Sequence, residues 1–193
     1  MSTPPRADNA ASRRSFLGLW IAGDLYALAN WILLVILLAW VYQQEEMALH
    51  AGLLLAARLV PPLILGLVAR PLVDRENSRM AAIAGHLLTA LPLFSLLSIG
   101  PEGGPGMAIL IALLAAIPIP FVRVSHQEIM ASLLDTGYRA TAERALAGTR
   151  LITAVLGPAV AVLLLKSSGF TSGVWAAIGL LLLSTAAVLL ARP

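Results

Sequence analysis

The sequence predicts an all-α polytopic membrane protein with six transmembrane helices and both termini in the cytoplasm. Apolar residues make up 59% of the chain and charged residues 12%, a balance that soluble proteins do not show. Six apolar runs alternate with short polar segments, and most are close to the roughly 20 residues that a helix needs to cross hydrocarbon. The arginines are concentrated in every second connection, which gives the chain an orientation.

The six predicted spans cover residues 16–42, 47–69, 79–99, 105–122, 147–166 and 171–191. Backbone amides cannot stay unpaired in lipid, and the runs lack the alternating polarity of barrel strands, so each span is expected to be a helix. Residues 1–14 are polar and contain proline, and they predict a cytoplasmic tail without a folded element.

The connections predict the topology. Residues 43–46, 100–106 and 166–173 are short and carry glycine, proline or acid, as tight turns on one side of the membrane do. All lysines and arginines except Arg58 and Lys166 belong to the other side. The positive-inside rule makes that side the cytoplasm and predicts a multi-pass protein of the plasma (cytoplasmic) membrane. The longest connection, residues 123–150, is expected to form short interfacial helices broken at residues 135–137.

The composition argues against several functions. The chain has no cysteine, which excludes disulfides, thiol catalysis and iron–sulfur clusters. Its three histidines lack the spacing that holds haem or a metal, and no GxxxxGK[ST] phosphate-binding loop is present. We therefore expect that the chain is not an enzyme and that it binds no cofactor and no metal. The arginines lie between apolar runs, so their partner is the bilayer surface and not nucleic acid.

Two charges fall deep inside predicted spans, away from the span ends. Asp24 lies about 12 Å and Arg58 about 16 Å from the cytoplasmic end of its helix, at 1.5 Å per residue. Charges in hydrocarbon are functional candidates, so we expect these two to face one another or a shared polar cavity. The alternative is a permanent ion pair that only locks two helices together.

Two further polar residues are candidates for substrate or ion coupling. Asn30 lies beyond Asp24 on the first span, where its amide could bind substrate or bond across a helix interface. His86 in the third span could relay protons, although a single histidine in a span more often serves packing. Prolines and glycine interrupt the spans at Pro61, Pro62, Pro92, Pro118, Pro120, Gly157 and Pro158, where kinks would permit gating movements.

Three segments resemble the N-terminal half of major facilitator superfamily (MFS) transporters, in the drug- and siderophore-exporter-like branch. They are Gly23-Asp24, AARLVPPLILG leading into LVDRENSR, and VLGPAV, and the likeness covers roughly residues 16–191. LVDRENSR resembles the family's cytoplasmic GxxxDRxGRR motif, which implies a gating element built from Asp74, Arg75 and Arg79. Arg123 stands near the family's fourth-helix arginine. Gly157 and Pro158 resemble the fifth-helix kink motif.

The likeness is incomplete. Arg70, Asn77 and Ser78 replace the two glycines and one basic residue of the loop motif, and Ala161 and Val162 replace the closing glycines of the fifth-helix motif. The family usually has twelve spans with the substrate between two six-helix halves. The resemblance thus implies a half-size secondary transporter for small-molecule export, with proton coupling as a candidate, acting as a homodimer or with a second six-helix half. The alternative is a non-transporting membrane accessory or interaction protein derived from a transporter half. The sequence does not identify the substrate.

Overall fold

A computed structural model describes residues 6–43, 47–73, 77–133 and 136–190. Over these ranges the chain forms helices and no β-strand. The helices are α1 (Arg6–Tyr42), α2 (Met47–Leu72), α3 (Ser78–Ile99), α4 (Gly104–Ala116), α5 (Ile119–Leu133) and α6 (Thr136–Leu190), with a 3-10 turn at Gly100–Gly103. Five helical stretches in these ranges are long and apolar enough to cross a membrane: Ser15–Tyr42, Met47–Leu72, Ser78–Ile99, Gly104–Leu133 and Leu146–Leu190. The all-α architecture is therefore that of a membrane protein.

The N-terminal segment differs from the prediction. α1 begins at Arg6, so residues 6–14 continue the first helix although a tail without a folded element was expected there. Alanine and arginine are good helix formers, and they extend a helix that the first span has already nucleated.

α4 and α5 form one rod with a proline joint. The amides of Ile117 and Val122 bond to the carbonyls of Leu113 and Pro118 at 3.3 and 3.0 Å, so the helical backbone nearly continues across the joint. Proline fits here because the first turn of a helix needs no amide donors. The helix does not end at residue 122, where the fourth span was expected to end, because α5 continues to Leu133. The segment expected to form an interfacial helix instead packs inside the bundle through Ser125, His126, Ile129 and Met130.

α6 reverses its direction at Gly169. This glycine has φ 82° and ψ −176°, a conformation that side-chain-bearing residues rarely adopt. We call residues 136–168 the first arm and residues 170–190 the second arm. Thr149 and Gly157 of the first arm meet Trp20 and Trp31 of α1, in the same order along both helices. Phe170, Gly173 and Ser184 of the second arm meet Trp40, Ile36 and Ala22, in the opposite order.

α1 forms the centre of the bundle. Its side chains Ile32, Leu33, Ile36, Leu37 and Trp40 are at most 1% exposed and pack against α3, α4 and both arms of α6. Several helices pack against α1 on different sides, while Leu17 and Ile21 near its beginning remain exposed. The angular position of a residue around the α1 axis therefore determines which helix its side chain contacts.

α2 packs differently from the other helices. Its buried residues are Leu54, Arg58 and Ala69, while most of its other leucines are exposed. The exposed apolar set includes Leu49, Leu53, Leu55, Leu59, Leu63, Ile64, Leu67 and Leu72. α2 thus lies at the edge of the bundle, and it turns its mid-helix charge inward and its apolar side chains outward.

Two glycines permit close approach between helices. A Cβ at Gly85 would lie 2.3 Å from Cγ2 of Val122, and a Cβ at Gly157 would lie 2.4 Å from Cβ of Trp31. Real Cβ atoms do not tolerate such distances, so α3 meets α5 and the first arm meets α1 only where the side chain is absent. The helix continues through Gly157 and Pro158, and Gly157 serves as a contact point with α1.

We predict that Gly157→Ala destabilises the protein by about 1–3 kcal/mol, because the new methyl group forces Trp31 away from the first arm. The free energy of unfolding in detergent measures the effect. Gly148→Ala is the matched control in the same helix, since nothing lies within 4 Å of its Cβ position. The control should be neutral or more stable by up to about 1 kcal/mol from helix propensity. Equal behaviour of the two variants would contradict the close contact.

Candidate functional site

Arg58 is a buried charge in the middle of α2. It lies roughly 16 Å from Met47 and roughly 21 Å from Leu72 at 1.5 Å per residue. Its side chain is 7% exposed. The Nη2 atom donates to the side-chain oxygen Oδ1 of Asn30 and lies 3.5 Å from the Asn30 carbonyl oxygen. The Nη1 atom is buried and has no hydrogen-bond partner. One end of the guanidinium is therefore held and the other is not.

Asn30 orients Arg58. Its Nδ2 atom donates to the carbonyl oxygen of Tyr26, one turn earlier on α1, at 2.8 Å. Because this bond fixes the donor end of the amide, Oδ1 is left facing α2. Two predicted candidates, Asn30 and Arg58, are thus brought together by the structure.

Tyr26 extends the contact between Arg58 and Asn30 from α1 to α3. We use the name polar cluster for the side chains of Arg58, Asn30, Tyr26, Thr89, His86, Ser184, Ser125 and His126. Its hydroxyl lies 3.0 Å from Oγ1 of Thr89, and Thr89 in turn donates to the carbonyl of Gly85 at 2.8 Å. Since the Thr89 proton is used in that bond, Tyr26 donates and Thr89 accepts. The Tyr26 ring also stacks on His86 with centroids 4.8 Å apart. The sequence indicated His86 but neither Tyr26 nor Thr89.

Ser184 on the second arm completes the surroundings of His86. Its hydroxyl donates to the carbonyl of Ala22 at 2.7 Å and lies 3.4 Å from Nε2 and 3.5 Å from Nδ1 of His86. Its proton is used at Ala22, so Ser184 can only accept from the imidazole. His86 is therefore held between α1 and the second arm.

His126 on α5 forms the other end of the cluster. Its ring is 5.3 Å from the His86 ring and nearly perpendicular to it, at 79°. It packs on Gly23, where a Cβ would be 3.4 Å from Nδ1. His126 Nε2 and Ser125 Oγ are buried without a hydrogen-bond partner. Protonating both imidazoles would bury two like charges in contact, so a second proton on the pair is less favourable than the first.

Asp24 lies apart from Arg58. The side chains that interact with its carboxylate are Thr149, Trp20 and Arg150. Arg58 has Asn30 and Tyr26 as neighbours, so the two charges expected to face one another have different partners. Asp24 and Asn30 are about one and two-thirds turns apart, which directs their side chains to different sides of α1. Asp24 faces the first arm and Asn30 faces α2.

The two gating candidates that the structure describes, Arg79 and Arg123, lie outside this cluster. Asp74 and Arg75 are outside the described residues. Arg79 at the start of α3 donates to the carbonyl of Leu189, near the end of the second arm. Arg123 is exposed on α5, inside the helix and not at its end, where it repels Arg150. Arg79 thus connects two helix ends, and Arg123 belongs to the surroundings of Asp24 and Arg150.

Comparison of the chain with family models, curated proteins and solved structures finds no match. Within the described ranges, no three His, Asp or Glu side chains are grouped so that they could hold a metal ion. The function is therefore argued from the geometry of the polar cluster.

We predict that Arg58→Met leaves the unfolding free energy within about 1–3 kcal/mol of the parent, because it removes an unbalanced buried charge while the Asn30 oxygen loses one hydrogen bond. Chemical unfolding in detergent provides the measurement. A loss of about 3–5 kcal/mol would instead identify a structural lock.

Leu54→Ala is the control for this measurement. Leu54 is fully buried and lies one turn before Arg58 on the inner face of α2. Its truncation should cost about 2–5 kcal/mol and shows that the assay detects lost α2 packing.

Proposed function

We propose that the chain is a half-size secondary transporter of the MFS type, which exports small molecules as a homodimer or together with a second six-helix half. Arg58 carries the proposal. It is a cation in the middle of a membrane-spanning helix, it is turned into the bundle, and its described polar neighbours are uncharged. Ionisable residues placed in this way mark substrate or ion pathways in membrane proteins.

The burial cost of Arg58 favours transport over an accessory role. An arginine at the helix centre costs about 2.5–3.5 kcal/mol on insertion scales, and an apolar residue would pack α2 without that cost. The polar cluster also extends along the bundle. His126 lies roughly 10 Å from the end of α5 and Arg58 roughly 21 Å from the end of α2. A polar route of this depth suits a transporter, whereas a docking protein has no need of it.

Six crossings with both termini in the cytoplasm are the proposed topology. Support comes from the reversal at Gly169, because the two arms follow α1 in opposite directions. Residues 146–168 and 170–190 are each long enough to cross hydrocarbon at 1.5 Å per residue. The arginine distribution then assigns the cytoplasmic side of the plasma membrane.

The second six-helix unit is proposed to join on the side of α2. That helix exposes an apolar face and lies next to the polar cluster through Arg58. Lipid alone could cover an apolar face, so the resemblance to a twelve-helix family is what favours a protein partner there. Proton coupling, where it occurs, would use His86 and His126, since their imidazoles are in contact inside the bundle.

We predict that Gln43→Cys and Ser168→Cys react with a membrane-impermeant maleimide from outside intact cells, and that Asn77→Cys reacts only after permeabilisation. All three positions are exposed, and the chain contains no other cysteine. Ser168 lies next to the Gly169 turn, so its labelling reports whether α6 crosses the membrane twice. A Ser168→Cys variant that reacts from neither side would overturn the six-crossing topology.

We predict that cells lacking their own multidrug exporters gain Arg58-dependent efflux when they express the chain. Cells are loaded with fluorescein or ethidium, and efflux of at least one dye should fall tenfold or more in Arg58→Met. Arg144→Met makes the same substitution at an exposed position and should leave efflux unchanged. The mass of the purified chain in nanodiscs should correspond to two copies. A monomer without efflux of either dye would favour the accessory role.

A further inference from the structure

The environment of Arg58 has an excess positive charge. In the described part of the chain, its guanidinium is bonded to Asn30, and Tyr26 is the ionisable side chain that acts on it. Both are neutral at physiological pH. Asp24, the carboxylate on the same stretch of α1, interacts with Thr149 and Arg150. Among the described residues, the bundle therefore surrounds a permanent cation with hydrogen-bonding groups and places no carboxylate against it.

The unbonded Nη1 end of the guanidinium determines which chemical group can bind to Arg58. A guanidinium presents its donors as a planar fork that matches the two oxygens of a carboxylate. The Asn30 oxygen Oδ1 accepts a hydrogen bond from Nη2, and the Asn30 amide is itself held by its bond to the Tyr26 carbonyl. The Nη1 atom is buried without an acceptor. A buried donor left in this state destabilises the fold, and more so when it is charged, so an anionic acceptor gains free energy on binding.

The depth of Arg58 identifies the source of the anion. Lipid phosphates lie at the interface, outside the roughly 30 Å hydrocarbon core. Arg58 lies roughly 16 Å from one end of α2 and 21 Å from the other, beyond the reach of a headgroup. The anionic group must therefore arrive on a small molecule that enters the bundle.

We propose that Arg58 binds the carboxylate, or another singly charged oxyanion, of the small molecule that the chain transports, and that Asn30 is the positioning residue that holds the guanidinium. This inference rests on the proposed transport function and adds the substrate class to it. It assigns to the second helix the role of recognising an organic anion.

The test uses the full chain in nanodiscs and four probes of similar shape at constant ionic strength. The probes are benzoate and benzenesulfonate as anions, benzamide as the neutral analogue and benzylammonium as the cation. The midpoint of thermal unfolding is followed by tryptophan fluorescence. The anions should raise the midpoint in a saturable manner, and the neutral and cationic probes should not. An equal shift with benzamide, or no shift with either anion, would overturn the proposal.

Variants separate the site from general anion effects. Arg58→Met should abolish the anion-dependent shift, and Arg58→Lys should weaken the apparent affinity about tenfold because it keeps the charge without the fork. Arg144→Met should respond like the parent. If Arg58→Met responds like the parent, the proposal fails.

Asn30→Asp keeps the charge of Arg58 and tests the site when Arg58→Met does not fold. The new carboxylate takes the position of Oδ1 and competes with an added anion for the guanidinium, so the benzoate shift should disappear. Benzoate binding as tight as in the parent would contradict the proposal.

The dye assay distinguishes this inference from the proposed function. Arg58-dependent efflux of ethidium without an anion-dependent midpoint shift would retain transport and reject the anionic substrate class. An Arg58-dependent benzoate shift without efflux of either dye would retain the anion site and reject transport.

Discussion

Lipid offers no hydrogen-bond partner, so each polar side chain within these spans must find its partner inside the protein. Several do so by bonding to a main-chain carbonyl. Thr89 donates to Gly85, Ser184 to Ala22 and Asn30 to Tyr26. Each bond fixes the direction of a side chain, and that direction then determines what the remaining lone pair or donor can meet. The geometry of the polar cluster follows from these carbonyl bonds.

Because α1 lies at the centre of the bundle, the direction in which a side chain leaves the helix axis determines which neighbouring helix it contacts. Trp20, Asp24 and Trp31 share the face that meets the first arm of α6. Tyr26 faces α3, and Asn30 faces α2. A helix at the edge of the bundle would leave most of these faces in lipid. Because α1 has neighbours on several sides, one helix supplies partners to α2, α3 and the first arm of α6.

The sequence predicted where along the chain the apolar helices lie. It did not predict which neighbouring helix a given side chain faces. Hydropathy indicated long apolar helices, and the glycine-containing segment 166–173 contains the reversal at Gly169. Depth alone suggested that Asp24 and Arg58 meet, yet their side chains face different helices. His126 was missed because Arg123, Gln127 and Glu128 lower the hydropathy of α5 and suggested that the span had ended. Its burial depends on packing against α3, which no local pattern reports.

The contact between Arg58 and Asn30 also limits how α2 can move. Leu54 and Ala69 are the other buried side chains of α2, and Pro61 and Pro62 remove two backbone donors from its middle. A helix with so few buried contacts belongs to the less stable parts of a fold. An anion on the free Nη1 atom would bind beside the Asn30 oxygen that holds this helix against α1. Any difference in anion affinity between the held and released positions of α2 then shifts their populations by the same free energy. If Arg58 binds the proposed anion, that binding and a movement of α2 would be coupled through the hydrogen-bonded pair of Arg58 and Asn30.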